Sequence, residues 1–355
     1  MSLMSVQTQI KGCSLFSNVG IDELYLKDVG INIVLANELV EKRALFYKHI
    51  YPNKDMVIGD ITDSDIFNTI VNKYKQYGCS FLLATPPCQG MSQAGKMDEN
   101  DVRNKLIISV IEFIKQTKPD NILIENVPGI LHFSIYVDGK KIKIIDYIKS
   151  LTKLGYFINY NVKDAADFGT PQHRKRAIIL ISKFNKWEFP SPQKRVTVRD
   201  AIGTLPSLES GESSNIKYHN AKKHNADHIL WMKHTPTGKT ALLNDVYYPQ
   251  KDGRRIKGYN TTYKRIEWDE PAPTITMCNG GISSQNNVHP GRKLMDGTYS
   301  DARVLTILEL LRLSGMPDNW DIPSWASDNL IRMVIGEAFP PKFAASMIST
   351  MPKEK

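Results

Sequence analysis

A thiol and a carboxylate each lie at the end of a short apolar run, where both could act on one substrate. Cys88 follows the run FLLA within FLLATPPCQG at 81–90, and Glu125 follows the run NILI within NILIENVPG at 121–129. A thiolate is a strong nucleophile, and a nearby carboxyl group can exchange a proton with the same substrate. If both runs are parallel strands of an open sheet, their carboxyl ends meet at the edge where ligands bind. The pair therefore predicts a site for nucleophilic catalysis.

Each of these residues also has a purely structural interpretation. A cysteine after an apolar strand usually behaves as an inert, small hydrophobic residue. Pro86 and Pro87 could simply end a strand, and Asn126 and Pro128 are equally typical of a turn. The catalytic interpretation therefore depends on whether further motifs accompany the pair.

The order of predicted elements indicates an α/β fold. Up to about residue 185, short β-rich runs alternate with helical stretches, as in a doubly wound, mostly parallel sheet. The predicted strands are Cys13–Phe16, Ile31–Ala36, Phe81–Ala84, Ile122–Glu125, Tyr156–Val162 and Ala177–Ser182. The predicted helices are Ile21–Lys27, Val40–Ile50, Asp65–Tyr77, Lys105–Lys115, Ile144–Leu154, Arg303–Ser314 and Asn329–Met351.

The chain is long enough for about two domains. We expect a catalytic and cofactor-binding domain over 1–185 and a smaller, irregular domain over 186–275. We expect a final segment, 276–355, that returns to the first domain.

Positive charge is concentrated in one stretch. The formal net charge is +9, and the segment from Arg195 to Arg265 holds 13 Lys or Arg but only six Asp or Glu. The same segment holds His219, His224, His228 and His234. This excess is compatible with an ordinary solvated surface, or with a surface that binds the phosphates of a nucleic acid.

The first half also carries residues that suit a nucleotide-like ligand. The stretch SLFSNVG at 14–20 predicts a strand followed by a turn of small residues, which lets the backbone approach such a ligand. Glu38 follows Phe16 by 22 positions, near the usual spacing of an acid that binds ribose hydroxyls, and Asp60 follows a third apolar run. Glu38 is also compatible with a helix N-terminal acid favoured by the helix dipole.

Together these stretches resemble the DNA cytosine-5 methyltransferases. The Pro-Cys motif, the Glu-Asn-Val motif, FGTPQHRKRAIIL at 168–180 and IGEAFPP at 335–341 follow one another in the order of that family. The resemblance implies a methyl transfer from S-adenosylmethionine to C5 of a cytosine that is flipped out of double-stranded DNA. It also implies that the basic segment is a target-recognition domain.

The resemblance assigns roles to individual residues. It implies that Cys88 adds to C6 of the cytosine, that Glu125 acts at N3, that Arg174 helps to hold the base and that Arg176 supports the site. Its implied cofactor residues are Phe16, Gly20, Glu38, Asp60, Ile61, Pro87, Glu337 and Ala338. Asn18 and Glu337 depart from the family pattern, in which a glycine and an asparagine occupy these positions. The implied or candidate DNA contacts are Gln89, Ser92, Gln172, Arg254, Arg255, Lys257, Asn260 and Thr276.

The sequence thus predicts a site-specific DNA (cytosine-5)-methyltransferase. Two alternatives remain, a tRNA cytosine-5 methyltransferase and a non-catalytic DNA-binding protein on the same fold. The long recognition segment favours DNA over tRNA, and the intact motif residues argue against a non-catalytic protein. We expect a cytoplasmic monomer without a bound metal or a membrane span, and a separate cognate restriction endonuclease is compatible with the family.

Overall fold

The computed structural model describes residues 9–87 and 106–354. Cys88, Gln89 and Ser92 lie outside the described residues. The chain forms two compact units. Unit 1 contains the residues up to Asp164, Lys175–Pro192 and the residues from Pro341 onward, and unit 2 contains Ala165–Arg174 and Gln193–Pro340. These bounds differ from the three predicted segments, and the assignment of DNA recognition to 186–275 stays a prediction.

Unit 1 is built on a seven-stranded sheet in the order β3-β2-β1-β4-β5-β9-β8. All neighbouring strands are parallel except β9, which is antiparallel to both β5 and β8. The predicted doubly wound, mostly parallel α/β fold is therefore confirmed. The strands are β1 (Ile10–Leu15), β2 (Ile31–Glu38), β3 (Asp55–Ile58), β4 (Phe81–Ala84), β5 (Asn121–Asn126), β8 (Phe157–Asp164) and β9 (Lys175–Ser182), with a separate hairpin of β6 (Ser134–Val137) and β7 (Lys140–Lys143).

Helices cover this sheet and shield its apolar strands. Asp63 caps the helix that follows β3 by accepting the N–H groups of Asp65 and Ile66, and Gly78 ends that helix in a left-handed conformation. Within the core, the rings of Phe67 and Tyr74 meet Phe113 edge to face. The helices of unit 1 are α1 (Glu41–Ile50), α2 (Ser64–Tyr77), α3 (Leu106–Thr117), α4 (Ile144–Lys149) and α9 (Pro341–Ile348).

Unit 2 contains short helices and long irregular segments. An apolar cluster that includes Trp231, Met232, Tyr263 and Val288 forms part of its core. Its elements are α5 (Val198–Ile202), α6 (Ala226–Lys233), a hairpin of β10 (Gln250–Lys251) and β11 (Arg254–Arg255), α7 (Ile307–Leu313) and α8 (Asp328–Glu337).

Three helix predictions were wrong in detail. The predicted helix Ile21–Lys27 is replaced by two 3₁₀ turns, Ile21–Glu23 and Lys27–Val29, and Gly30 ends the second in a left-handed conformation. The predicted helix Ile144–Leu154 ends as an α-helix at Lys149 and continues as a 3₁₀ turn. The predicted helix Asn329–Met351 is split into α8 and α9 by Pro340 and Pro341, because proline lacks the N–H that a continuous helix requires.

Within the residues that the structure describes, no helix is long and apolar enough to cross a membrane.

Candidate active site

The strand register places the ends of three neighbouring strands at one level. Leu15 of β1 pairs with Ala84 of β4, and Ala84 pairs with Ile124 of β5. The residues that follow these three are Phe16, Thr85 and Glu125, so the loop after β1, the loop toward Cys88 and the candidate acid begin side by side. This is the edge predicted from the sequence, and it flanks β1, where the chain changes from one side of the sheet to the other.

Glu125 is buried and paired with an arginine. Arg176 Nε donates to Glu125 Oε1 at 2.7 Å, and its Nη1 donates to the carbonyl of Lys175 at 2.8 Å. The side chains of Arg176 and Glu125 are only 15% and 10% exposed. Because β9 is antiparallel to β5, Arg176 enters the sheet at the same edge where Glu125 leaves it. The pairing fixes the carboxylate at the end of β5.

The loop that leads to Cys88 is hydrogen-bonded to residues at the ends of both neighbouring strands, β5 and β1. Asn126 Nδ2 donates to the carbonyl of Pro86 at 2.9 Å, while Thr85 Oγ1 donates to the carbonyl of Phe16 at 3.2 Å. Asn126, for which the sequence left a turn as an alternative, thus anchors the loop. Pro87 is exposed and is the last described residue before Cys88.

The loop after β1 is ordered by an acid on β2. Glu38 is 6% exposed and accepts the N–H groups of Asn18 and Val40, each at 2.9 Å. Phe16 and Asn18 have positive φ angles of 60° and 49°. An asparagine adopts this backbone more readily than most residues, so the departure from glycine at position 18 leaves the turn intact.

Asp60 provides a second carboxylate, beyond the end of β3. Its Oδ1 accepts the N–H and the hydroxyl of Thr62 at 2.9 and 2.8 Å. Among the described residues, its Oδ2 makes no hydrogen bond, and the side chain is exposed. The neighbouring Ile61 is 2% exposed and packs in the core of unit 1, which leaves its backbone as the part that a ligand could meet.

The sequence did not predict a set of contacts that supports the loop after β1. The hydroxyl of Tyr51 donates to the carbonyl of Gly20 at 2.7 Å, and a Cβ at Gly20 would lie 2.5 Å from the Tyr51 ring. Tyr47 and Lys54 donate to Glu23 Oε2 at 2.8 and 2.6 Å. Gly20, whose φ is 73°, is therefore required by packing as well as by backbone conformation. The spacing of Tyr47 and Tyr51 on one helix face was the available signal.

A further buried carboxyl group lies near Glu125. Asp22 is 5% exposed. Burial, followed by the charges of Glu23 and Glu125, raises the pKa of Asp22 well above its usual value. This edge of unit 1 therefore concentrates acidic groups, of which Glu23 and Glu125 have cationic partners.

In unit 2, two motif residues bind backbone rather than facing solvent. Arg174 is 3% exposed and donates from Nη1 and Nη2 to the carbonyls of Ile275 and Glu337 at 3.0 and 2.9 Å. Gln172 is 2% exposed; its Oε1 accepts the N–H of Ile275 at 3.1 Å and its Nε2 donates to the carbonyl of Leu313 at 3.4 Å. A DNA contact from Gln172 is not supported by this buried position, and the contacts of Arg174 support unit 2 itself.

The motif at 335–341 ends α8. Glu337 is its last residue and Ala338 is its C-cap, and both are partly exposed. A Cβ at Gly336 would lie 2.2 Å from the carbonyl oxygen of Thr276, so this glycine allows direct backbone contact. That carbonyl also accepts Asn279 Nδ2 at 2.7 Å. The expected roles of Glu337, Ala338 and Thr276 toward ligands stay predictions.

The two arginines of the β10–β11 hairpin have different surroundings. Arg255 donates to the carbonyls of Leu242 and Asn244 at 2.7 and 2.9 Å, and its guanidinium lies 3.6 Å from the ring centroid of Tyr248. Arg254 lies beside it and is exposed, and its side chain makes no hydrogen bond or ion pair to another described residue. Lys257 and Asn260 are likewise exposed. Arg255 is thus a support of the hairpin, while Arg254 is available to a ligand.

Part of the basic segment is internal to unit 2. Arg265 is fully buried and donates to the carbonyls of Met232, His289 and Asp301. His219 is fully buried, and its Nδ1 lies 3.1 Å from the hydroxyl oxygen of Thr306. These residues hold the fold, so the excess of charge in the sequence overstates the surface that could bind phosphates.

The fold and the strand-end residues define a class, the methyltransferases built on a doubly wound sheet. A family model described as C-5 cytosine-specific DNA methylase matches residues 10–353. Type II methyltransferase M1.HgaI of Avibacterium volantium is 53% identical over 343 residues, covering 95% of this chain and 96% of that protein. Type II methyltransferase M1.HphI of Haemophilus parahaemolyticus is 29% identical, covering 96% and 86%. A solved structure of a prophage-encoded DNA modification methyltransferase (E. coli) has the same fold, with a TM-score of 0.69 at 20% identity, covering 96% of this chain and 98% of that one.

The chain belongs to the C-5 cytosine-specific DNA methylase family. It is a DNA (cytosine-5)-methyltransferase whose methyl donor is S-adenosylmethionine. The residues at the strand ends fit this cofactor. Its adenine amino group and ribose hydroxyls are hydrogen-bond donors. Glu38, at the end of β2, and Asp60, beyond the end of the adjacent β3, present carboxylate acceptors. Phe16 adds an aromatic ring that is only partly buried.

Proposed function

We propose that Cys88 is the nucleophile and that Glu125 is the acid that assists it. The observation that carries this proposal is the fixed position of Glu125, held by Arg176 Nε at 2.7 Å. The loop that ends in Pro87 begins at the same level of the sheet and is anchored to Asn126. This anchoring supports an approach of Cys88 to the same substrate as Glu125.

The proposed cycle accounts for each bond and proton. C5 of cytosine is a poor nucleophile until the Cys88 thiolate forms a bond to C6, which moves electron density toward C5 and N3. Glu125 donates a proton or a hydrogen bond at N3 and thus stabilises that charge. S-adenosylmethionine, when bound, supplies the electrophilic methyl group that C5 accepts. A solvent base then removes the C5 proton, the bond between Cys88 and C6 breaks to release the thiolate, and any proton donated to N3 returns to Glu125.

The same proposal requires that the target base leave the DNA helix. An enzyme cannot reach C5 and C6 within the base stack, and base flipping exposes both atoms. We propose that Phe16, Glu38 and Asp60 bind the cofactor, with the Ile61 backbone, Gly20, Pro87, Glu337 and Ala338 as further contacts. Cys88, Gln89 and Ser92 would then meet the flipped base and the adjacent DNA.

Recognition of DNA is proposed for unit 2. Arg254, Lys257 and Asn260 are exposed side chains of the types that bind base edges or phosphates. Thr276 is a further candidate for a backbone contact. The relatives named above are type II methyltransferases, so we propose a role in restriction–modification. We further propose that this chain acts in the cytoplasm as a monomer, with a cognate endonuclease acting separately.

The proposal is tested with 5-fluorocytosine in the target site. After methyl transfer, C5 of this base carries no removable proton, so the covalent complex between Cys88 and DNA should accumulate and survive denaturation. Cys88→Ala should abolish the adduct and turnover but largely retain DNA binding, because phosphate contacts supply much of that affinity. Cys278→Ala is the matched control and should retain both activities. An adduct on another cysteine, or methylation by Cys88→Ala, would falsify the assignment. Methylation of tRNA in place of duplex DNA would favour the alternative substrate.

A further inference from the structure

A second basic hairpin lies in unit 1, outside the segment where the sequence concentrates positive charge. It consists of β6 and β7, which are antiparallel and are joined by Asp138 and Gly139. Both turn residues have positive φ, 47° and 75°, as a two-residue type I′ turn requires. This geometry makes the hairpin a defined element, with each side chain assigned to one of its faces.

The two faces of this hairpin have opposite character. Ile135 is 2% exposed, and its cross-strand partner Ile142 packs against the same hydrophobic core. On the other face, Tyr136 pairs with Lys141 and is 56% exposed, and Lys143 is exposed. The hairpin is thus anchored by its inner face and presents a phenol and lysines on its outer face.

Chain topology places this hairpin at the edge of the sheet that carries Glu125. The hairpin follows the carboxyl end of β5 after a 3₁₀ turn at Pro128–Leu131. After the hairpin, α4 and a 3₁₀ turn lead to Phe157, where β8 begins. Because β8 is parallel to β5, the chain returns to the opposite edge of the sheet only after the hairpin. The N–H of Ile144 donates to the carbonyl of Phe133 at 2.9 Å, which ties the start of α4 to the base of the hairpin.

The outer face and the tip carry an excess of positive charge. Lys140 lies at the tip beside the turn, and Lys141 and Lys143 follow, against the single acid Asp138. Neither Lys140 nor Lys143 forms an ion pair with a carboxylate among the residues that the structure describes. Lys141 and Lys143 are two residues apart on the outer face of β7. Such residues are about 7 Å apart, which spans about two phosphates along a DNA strand, and Lys140 adds a further charge at the tip.

We propose that the β6–β7 hairpin binds the phosphate backbone of the duplex that carries the target cytosine. The proposal rests on the DNA methyltransferase function and adds a phosphate-binding surface on the catalytic unit. Lysine ammonium groups and a tyrosine hydroxyl are donors that bind phosphate oxygens without reading sequence. The hairpin therefore contributes affinity and orientation at the catalytic edge, and sequence discrimination lies elsewhere.

The test compares the salt dependence of duplex binding in two double variants. Lys140→Gln with Lys143→Gln removes two charges from the hairpin. Lys75→Gln with Lys153→Gln removes two exposed charges near the opposite edge of the sheet, close to the starts of β4 and β8. The slope of log affinity against log salt should fall by about 1 to 2 for the hairpin variant, because each lost phosphate contact reduces it by about 0.9.

Further readouts separate binding from chemistry. The hairpin variant should weaken binding to target and non-target duplexes by the same factor and keep the wild-type turnover at saturating DNA. Lys143→Glu should weaken binding more than Lys143→Gln. A hairpin slope equal to that of the Lys75/Lys153 control would overturn this inference. If the wild-type chain neither bound nor methylated duplex DNA, the proposed function itself would fail.

Discussion

Arg176 and Glu125 act as one unit at the scale of single residues. The guanidinium orients a buried carboxylate, and the proposed chemistry at N3 would need that carboxylate in one position. Arg176→Ala should slow methyl transfer in a single turnover by about 10²-fold, since a small misplacement of a reacting group has a cost of this size. Arg176→Lys keeps the positive charge but lacks the Nε donor that binds Glu125. Its single-turnover rate should therefore lie between those of the wild type and Arg176→Ala.

Lys175→Gln provides the control for this prediction. Lys175 is the neighbouring residue of β9 and is exposed. Its variant should retain the wild-type rate. Melting temperatures measured in parallel would distinguish lost orientation from lost stability, because breaking a buried ion pair can destabilise the fold. A wild-type single-turnover rate in a folded Arg176→Ala protein would refute the orienting role.

Residue types indicated a candidate catalytic pair, which stays a prediction, but they did not indicate the contacts that support Glu125. Gln172, Arg174 and Arg176 alternate in one motif, yet Arg176 pairs with the acid while Gln172 and Arg174 bind backbone in the other unit. The division between the units falls between Arg174 and Lys175, and no change of composition marks it. Arg174 and Arg176 have the same side chain but lie on opposite sides of this division. The sequence therefore did not indicate which of them would pair with Glu125.

At the scale of elements, the two adjacent arginines of the β10–β11 hairpin should have different roles. We expect Arg255 to stabilise the hairpin and Arg254 to bind DNA. Arg255→Lys removes the donation to two carbonyls and the contact with Tyr248. Hydrogen exchange of residues 242–257 should then accelerate by about tenfold, as expected for the loss of roughly one net hydrogen bond. Arg254→Gln should leave exchange unchanged and weaken DNA binding. Equal exchange in both variants would contradict this division.

The observed strands agree closely with the predicted ones where the apolar pattern of the sequence is strong. All six predicted strands are present, and the third apolar run forms β3. The hairpin β6–β7 was missed because its alternation spans only four residues a strand and resembles a charged loop. The 3₁₀ turns after β1 were also missed, because local spacing does not distinguish one tight turn from the start of a helix.

At the scale of the whole molecule, the stability of unit 2 depends on buried ionic groups as well as apolar packing. Arg303 is fully buried and binds Glu309 through two hydrogen bonds, at 2.8 and 3.0 Å, and Asp301 through a third at 2.9 Å. Burial opposes ionisation of Glu309, but Arg303 and His289 overcome it and lower the pKa of Glu309 to about 2. Such a network is retained only while its members keep their native charge states.

Two histidines make the stability of unit 2 depend on pH at values above those at which most carboxylates titrate. Burial, followed by the charge of His228, lowers the pKa of His224 to about 4, and burial followed by Arg303 lowers the pKa of His289 to about 3. Both values lie below the usual histidine value of about 6.5. As the pH falls below that value, the unfolded chain binds protons that the folded chain does not. Their contribution to stability is therefore complete above about pH 6.5 and is lost progressively toward pH 4 and 3.

We expect the free energy of unfolding of the protein to fall below pH 6.5 with a slope of up to about 1.4 kcal/mol per pH unit for each of these two histidines. His224 Nε2 accepts the N–H of Val304 at 3.3 Å, and a glutamine oxygen could accept the same bond without titrating. His224→Gln should therefore reduce the slope between pH 6.5 and 4.5, as measured by denaturant unfolding at several pH values. His132→Gln changes an exposed histidine and should leave the slope unaltered. If His224→Gln and the wild type lost stability in parallel over this range, His224 would not be a source of the acid sensitivity of unit 2.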